Sequence, residues 1–347
     1  MRTPPLISVI IPCFNAEKWI AKSINSILEQ TYNNFEILVF NDGSQDDSLK
    51  IIKTITLKSA SIKIINEPCN NGIVYSLNRS IAEAQGKFIA RMDADDVAHP
   101  QRLERQVKFL SENNVDLCGT WFKEFGQGAP RITRWPTSHQ ALEASLLFQN
   151  TICHPTIMAR REVFDDFPYR EEFNLAEDYD FFSRAIKKYK FNNIPEPLLN
   201  YRRHSSQATQ AKKERMELIT RQIRVNALQS IGVFPTEQQA LVHNTIRAPQ
   251  SICTLRELEL IEEWLTFLLC EKKSSEFNSI VASQWIRACI RAAPLGGEMR
   301  KKYFSSHLLT WIKPSSLMNF DVFALSVLKL NYNSEAFKIL RRMGLSA

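Results

Sequence analysis

The chain has 347 residues, 44% hydrophobic and 23% charged, enough for two domains that each bury a core and too apolar for a disordered polypeptide. Its 10 glycines show no Rossmann or P-loop spacing, and the zinc-protease and nucleophile-elbow motifs are missing. Seven cysteines without a C-x-x-C pair suggest reduced thiols in a cytosol rather than a disulfide framework or zinc knuckle. The formal charge of +7 is confined to the C-terminal part: residues 208–347 hold 19 Lys and Arg against 12 Asp and Glu, whereas residues 1–207 hold 25 of each. The early apolar run Ile7 to Ile11 stops at Pro12, too short for a secretion signal core, and the longest strongly apolar stretch, Trp264 to Cys270, falls far below the ~20 residues of a spanning helix. The expectation is a cytoplasmic protein that does not cross a membrane.

In chain order, short β-branched runs alternate with amphipathic segments, the pattern of βαβ units around a mostly parallel, doubly wound sheet. Ile7 to Ile11, Phe35 to Phe40, Ile62 to Ile65 and Lys87 to Arg91 read as strands. Ala16 to Gln30, Gly72 to Ala84 and Gln101 to Asn113 read as helices from the spacing of Ile20, Ile24 and Ile27, of Leu77 and Ile81, and of Leu103, Val107 and Leu110. A looser stretch with Gly126, Gly128, Pro130 and Pro136 reads as loop and edge strand, Tyr179 to Tyr189 as an aromatic-rich helix, and Leu198 to Arg203 as a last strand. Beyond a boundary placed near 205–210 the pattern turns helical, with stripes at Leu255, Leu258, Ile261, Leu265 and Leu268 and at Val281, Trp285 and Cys289. Two domains, 1–207 and 208–347, the second all-α, are therefore expected.

In an open α/β sheet ligands bind beyond the carboxyl ends of the strands, which makes Pro12 to Asn15, Asn41 to Ser44 and Met92 to Asp96 converge on one site. Asp93-Ala94-Asp95-Asp96 puts three carboxylates in four residues. Their repulsion makes sense with a hard cation such as manganese or magnesium, the alternative being a solvated acidic turn ahead of a helix. Asn41-Asp42-Gly43-Ser44 reads equally as a strand-to-helix turn or as a carboxylate accepting a hydrogen bond from a nucleotide. Glu177-Asp178 is either charge favoured at a helix start or a general base. His154 and His204, taken singly, read as ordinary surface or capping histidines.

The ordered set Pro12-Cys13-Phe14-Asn15, Ser26 to Tyr32, Asn41-Asp42-Gly43-Ser44, Asn71-Gly72, Arg91 to Asp96 and Glu177-Asp178 resembles glycosyltransferase family 2 over residues 5 to about 205. The resemblance implies a GT-A fold and inverting transfer of a sugar from a nucleotide-sugar, usually a UDP-sugar, with a divalent metal. It implies that Pro12, Phe14, Asn15, Asp42, Asn71, Gly72 and Asp93 bind the donor. Asp93, Asp95 and His204 would hold manganese or magnesium, Asp178 would be the base, and His154 and Glu177 would lie on the acceptor side. Processive members carry Q-x-x-R-W after the base; here Arg134-Trp135 lacks the Gln and precedes Asp178, so transfer of one sugar is expected. Many relatives have Asp at the place of Asn41.

The acceptor expected is a glycan or lipid-linked hydroxyl, as in surface polysaccharide or lipopolysaccharide synthesis. The alternatives are a nucleotidyltransferase, which needs a basic phosphate loop that Pro12 to Asn15 does not offer, and a non-catalytic module with a nucleic-acid-binding tail. The carboxylates at 93, 95 and 178 speak against the second, and no nucleic-acid partner is expected. The tail's Lys272, Lys273, Arg287, Arg291, Arg300, Lys301 and Lys302, with Phe304 or Trp311, are expected to meet anionic lipid, placing the protein on the inner face of the membrane.

Overall fold

The computed structural model describes residues 6–204, 213–248, 250–271 and 274–331, with 334–336 and 339 beyond them. The chain forms two compact units, residues 1–142 with 150–223, and 143–149 with 224–347. The expected boundary is corrected in two ways. The division falls inside the helix Lys213–Gln229, and Glu143 to Gln149 belongs to the helical unit. The reason is local apolar content: Ala144, Leu147 and Phe148 are buried in that unit's core. The 205–210 stretch lies outside the described residues.

In the first unit the sheet runs β3-β2-β1-β4-β8-β6-β9-β5, with β7 paired to β6. Its strands are β1 (Ile7–Cys13), β2 (Phe35–Asp42), β3 (Ile62–Glu67), β4 (Phe88–Arg91), β5 (Val97–Ala98), β6 (Leu117–Gly126), β7 (Arg131–Thr133), β8 (Met158–Arg160) and β9 (Phe191–Arg203). The strands β3, β2, β1 and β4 are mutually parallel, as the βαβ pattern requires, and their crossovers are α1 (Ile20–Leu28), α2 (Ser48–Thr56) and α3 (Ile73–Glu83). Helix α1 shows why: Ile20, Ile24 and Ile27 are fully buried on one face, each contributing about 1.5–3 kcal/mol of burial free energy.

The second half of the sheet departs from the sequence reading. β6, expected as loop and edge strand, is a ten-residue interior strand between β8 and β9, and β8 was not expected at all. Its buried start includes Leu117, Cys118 and Gly119, none of them β-branched. Gly119 is required by a close approach: a Cβ there would stand 2.3 Å from Asn193 Oδ1. β9 begins at Phe191, well before the expected Leu198, and passes Pro195 and Pro197. The ladder to β6 shifts register between Thr120 and Phe122, and this bulge absorbs the prolines that cannot donate to it.

Helices α4 (Arg102–Glu112), α5 (His139–Ser145), α6 (Arg161–Asp166) and α7 (Glu177–Ala185) complete this part of the chain, and α8 (Lys213–Gln229) follows β9. The helical unit contains α9 (Glu237–Thr245), α10 (Leu255–Glu271), α11 (Ser275–Arg291), α12 (Gly297–Ser305), α13 (Leu309–Ile312) and α14 (Ser316–Leu328). Both expected stripes are buried, except that Leu255 is half-exposed. Buried His243 receives the Trp264 indole N–H on Nδ1 at 3.0 Å and so donates from Nε2 to the Leu147 carbonyl at 2.8 Å. Burial lowers its pKa to about 4, so it stays neutral. Among the described residues no helix is long and apolar enough to cross a membrane. Two of the cations expected to face lipid do not: Arg291 is buried and donates to the carbonyls of Gln250 and Ile246, and Lys302 pairs with Glu262 at 3.0 Å. Lys272 and Lys273 lie outside the described residues.

Candidate active site

Parallel pairing of β2, β1 and β4 sets Cys13 opposite Asn41 and Ile10 opposite Arg91, so the loops that leave these strands stand side by side. Pro12 is the penultimate residue of β1, and Phe14, just beyond the strand, is 48% exposed. Asn15 adopts φ +49°, a left-handed conformation that Asn tolerates. Its N–H donates to Ser44 Oγ at 3.1 Å and its Oδ1 accepts from the Gln45 N–H at 2.8 Å, locking the first loop to the second. Asp42 is buried and accepts the N–H groups of Asn71 and Gly72, one on each oxygen, both at 2.9 Å. The four residues Asn15, Asp42, Asn71 and Gly72 thus belong to one hydrogen-bonded loop system. Cys13 is a packing group, since burial pushes its thiol up to about 12.

The acidic loop is built differently. Asp93, Asp95 and Asp96 each direct a carboxylate oxygen into a cluster whose atoms lie within 4.8 Å of one another. Arg91 Nη2 contacts Asp93 Oδ1 at 2.5 Å, and His204 Nε2 lies 2.7 Å from Asp95 Oδ2. Asp96 is 1% exposed; its Oδ1 accepts the Arg202 N–H at 2.8 Å, while its Oδ2 has no hydrogen-bond partner among the described residues. Burial, followed by the charges of Asp93 and Asp95, raises the Asp96 carboxyl well above its ordinary value. Burial likewise raises Asp93, with Arg91 pulling it back. Converging hard oxygens, one of them buried without a donor, and an imidazole at the edge fit a divalent cation such as manganese or magnesium.

His204 reaches this loop because β5 pairs antiparallel with β9, Ala98 opposite Leu199 and Val97 opposite Asn200, which folds the end of β9 back over residues 93–96. Arg202 Nε donates to the Asp95 carbonyl at 2.8 Å, and its guanidinium lies 4.1 Å from the centre of the Trp19 ring and 4.4 Å from that of Phe125. Trp19 stacks on His204 with ring centres 6.0 Å apart. The imidazole is therefore held between a carboxylate and an indole.

Glu177 and Asp178 open α7, where the helix dipole favours carboxylates. Two residues before Glu177, Leu175 sits at φ +90°, a conformation costly for a large side chain, and its N–H donates to Glu177 Oε2 at 3.1 Å. Asp178 accepts the Tyr179 N–H at 2.7 Å and the Asn150 amide at 2.9 Å, one on each oxygen. Burial raises the Asp178 carboxyl; burial and then the Asp178 charge raise Glu177 to about 7. The Arg91 guanidinium pulls both carboxyls, and Asp93, back toward ionisation, which ties the start of α7 electrostatically to the acidic loop.

His154 is corrected. It is buried, its Nε2 is engaged by the Tyr169 hydroxyl at 2.7 Å, and Phe182 packs edge-on against it. Burial and Arg91 hold its pKa well below the ordinary range, so it stays neutral and is a buried, hydrogen-bonded group rather than a surface or capping histidine. Sequence reasoning missed Arg91, Asn150, Trp19 and Arg202 as site residues. Only Arg91 carried a signal, being a charge that closes an otherwise apolar strand; it is 5% exposed, and its Nε and Nη1 are buried without hydrogen-bond partners among the described residues.

A model of Glycosyl transferase family 2 matches residues 8–167. An uncharacterized glycosyltransferase of Haemophilus influenzae is 36% identical over 242 residues, covering 63% of this chain and 75% of that protein. The Escherichia coli O-antigen biosynthesis glycosyltransferase WbnJ is 32% identical over 212 residues, covering 59% and 82%. Among solved structures, residues 1–349 of S. aureus TarS in complex with UDP-GlcNAc share 19% identity and a TM-score of 0.55, covering 97% of this chain and 92% of that one. At that identity the likeness concerns the fold, GT-A.

Proposed function

Because this chain belongs to glycosyltransferase family 2, we propose that it is an inverting transferase that moves one hexosyl or N-acetylhexosaminyl group from a UDP-sugar to a hydroxyl of a glycan or lipid-linked acceptor in surface polysaccharide synthesis. The observation that carries the reading is the Arg91 link. One guanidinium acts on Asp93 in the acidic loop and on Asp178 at the start of α7, so leaving-group charge and nucleophile proton are handled within one electrostatic unit.

In this reading the loop system of Pro12, Phe14, Asn15, Asp42, Asn71 and Gly72 binds the nucleotide, Phe14 offering an exposed ring for a base. Asp95 and His204, 2.7 Å apart, would hold the metal together with Asp93. A divalent ion there, manganese or magnesium, offsets the charge that develops on the departing diphosphate. Asp178 takes the proton from the acceptor hydroxyl as that oxygen attacks the anomeric carbon from the face opposite the leaving group. Asn150 and the Tyr179 N–H fix the carboxylate's direction, and Glu177 lies on the acceptor side. The UDP-GlcNAc held by S. aureus TarS and the O-antigen role of WbnJ support this choice of donor and pathway class. A lipid-linked acceptor places the enzyme against the inner face of the cytoplasmic membrane.

The test is UDP release from a panel of UDP-sugars with manganese and a glycan or lipid-linked acceptor, alongside calorimetric binding of UDP. Wild type should bind UDP and release it from at least one donor. Neither binding of UDP nor release from any UDP-sugar overturns the reading.

A further inference from the structure

We infer that α14 is a docking surface for an anionic lipid bilayer. The inference deepens the membrane reading above by naming the surface and the lipid class, and it is independent of the reaction chemistry.

The helix is amphipathic in the wrong sense for a protein interior. Its buried residues are Asp321, Val322, Leu325 and Ser326, two of the four polar, whereas Leu317, Phe320, Phe323, Val327 and Leu328 are 54, 59, 44, 56 and 52% exposed. At 100° per residue these five side chains fall within an arc of about 140°, with half-buried Ala324 between them. Scattered exposed apolar residues are ordinary, but one continuous face of two phenylalanines and three aliphatic chains marks an interaction surface.

The charges around the face select the partner. From Met299 to Asn331 the basic residues are Arg300, Lys301, Lys302, Lys313 and Lys329, and the only carboxylate is Asp321, which is fully buried. Lys302 turns to Glu262, whereas Arg300, Lys313 and Lys329 border the helix. The Arg300 guanidinium lies 5.0 Å from the centre of the Phe323 ring. Lys313 is exposed just before the N-cap Ser315, and Lys329 is exposed directly after the last turn. Exposed Glu298 and Glu335 flank this stretch, but basic residues outnumber acidic ones across it, and an apolar face bordered by Arg300, Lys313 and Lys329 matches the acyl and anionic headgroup layers of a bilayer, with the long basic side chains reaching up to the phosphates. A second copy would bring the same cations against these, so self-pairing is opposed by like charge. Trp311 and Phe304, flagged from the sequence, are 42 and 51% exposed in the segments just before α14, consistent with anchoring near it.

The test is flotation of the full chain with vesicles of phosphatidylcholine alone or with phosphatidylglycerol, at low and high salt. Each variant's melting temperature and UDP release to a water-soluble acceptor are followed in parallel. Wild type should float only with phosphatidylglycerol vesicles and less at high salt. Phe320→Ser with Val327→Ser, and separately Lys313→Glu with Lys329→Glu, should each lower the bound fraction at least tenfold with unchanged melting and unchanged UDP release. Wild type that stays with the soluble fraction at low salt, or variants that float like wild type, overturn the inference. So does a dimer in light scattering that dissociates in Phe320→Ser, because the face is then covered by a second copy. Flotation without UDP release from any donor leaves this surface standing and removes the proposed reaction instead.

Discussion

The two halves of the catalytic sheet contribute to the site by different means. Residues 7–98 bring their loops together through the order of consecutive parallel strands; the hydrogen bonds from Asn15 to Ser44 and from Asp42 to Asn71 and Gly72 then fasten loops that are already neighbours. Residues 117–204 contribute single side chains, Asn150 from a loop, Asp178 from the first turn of α7 and His204 from just beyond β9, and the end of β9 is held by contacts between residues far apart in sequence, such as Arg202 with Asp95 and Asp96. A site assembled this way has one half specified by the backbone and another that depends on a few positioning side chains. Substitutions in the second half are therefore expected to change chemistry with little effect on nucleotide binding.

The largest effect is expected from Asp95, where the two halves meet. Asp95→Ala should reduce turnover below detection and weaken UDP binding in manganese while the circular dichroism spectrum stays native. Retained turnover in EDTA would contradict a metal at this carboxylate cluster. Next is Asp178→Asn, which keeps shape but removes the proton acceptor and should slow turnover by about 10² to 10⁴ with donor affinity nearly unchanged. Loss of UDP binding at constant turnover number would move the base elsewhere and erase the contrast between the halves.

Smaller effects probe the positioning residues. Arg202→Met removes the donor to the Asp95 carbonyl and the stack on Trp19, and should raise the manganese concentration for half-maximal activity by roughly 10- to 100-fold, as loss of a group orienting a metal ligand does. Arg203→Met, at an exposed side chain paired with Glu124, is the control and should leave the titration where it was. His204→Ala should move the same titration upward without altering UDP release at saturating metal.

The smallest effect concerns pH. Glu177 is raised from 4.5 to about 7, so its protonated form favours the fold below the ordinary carboxylate range, and that contribution is lost as pH rises through about 7. Glu177→Gln should therefore melt higher than wild type near pH 8, with the gap closing near pH 4. Equal melting at both ends would show that the Glu177 carboxylate is solvated in the native protein.

The first half was legible because its signals are local. Isoleucines at helical spacing, β-branched runs and the Asn-Asp-Gly-Ser turn act within a few residues, and parallel strands joined by short crossovers must become neighbours. The second half was not. β6 opens with Leu117, Cys118 and Gly119, the glycine required by the close approach of Asn193 rather than by strand propensity, and β9 hides behind two prolines that a bulge accommodates. His154 was misread because its burial comes from Tyr169 and Phe182, neither of which is adjacent in sequence.

By itself, then, the sequence determined the βαβ half, the crowding of acidic residues at 93–96, the pair at 177–178 and the family. Tertiary structure decided which residues meet that crowding: Arg91 from the strand before it, and His204 with Arg202 from a segment more than a hundred residues later. It also decided that residues 143–149 join the helical unit and that α14 turns its apolar face outward. Spacing along a chain reports which side of its own element a residue occupies, but the field and burial a side chain meets come from elements packed against it, and those partners are set by the whole fold.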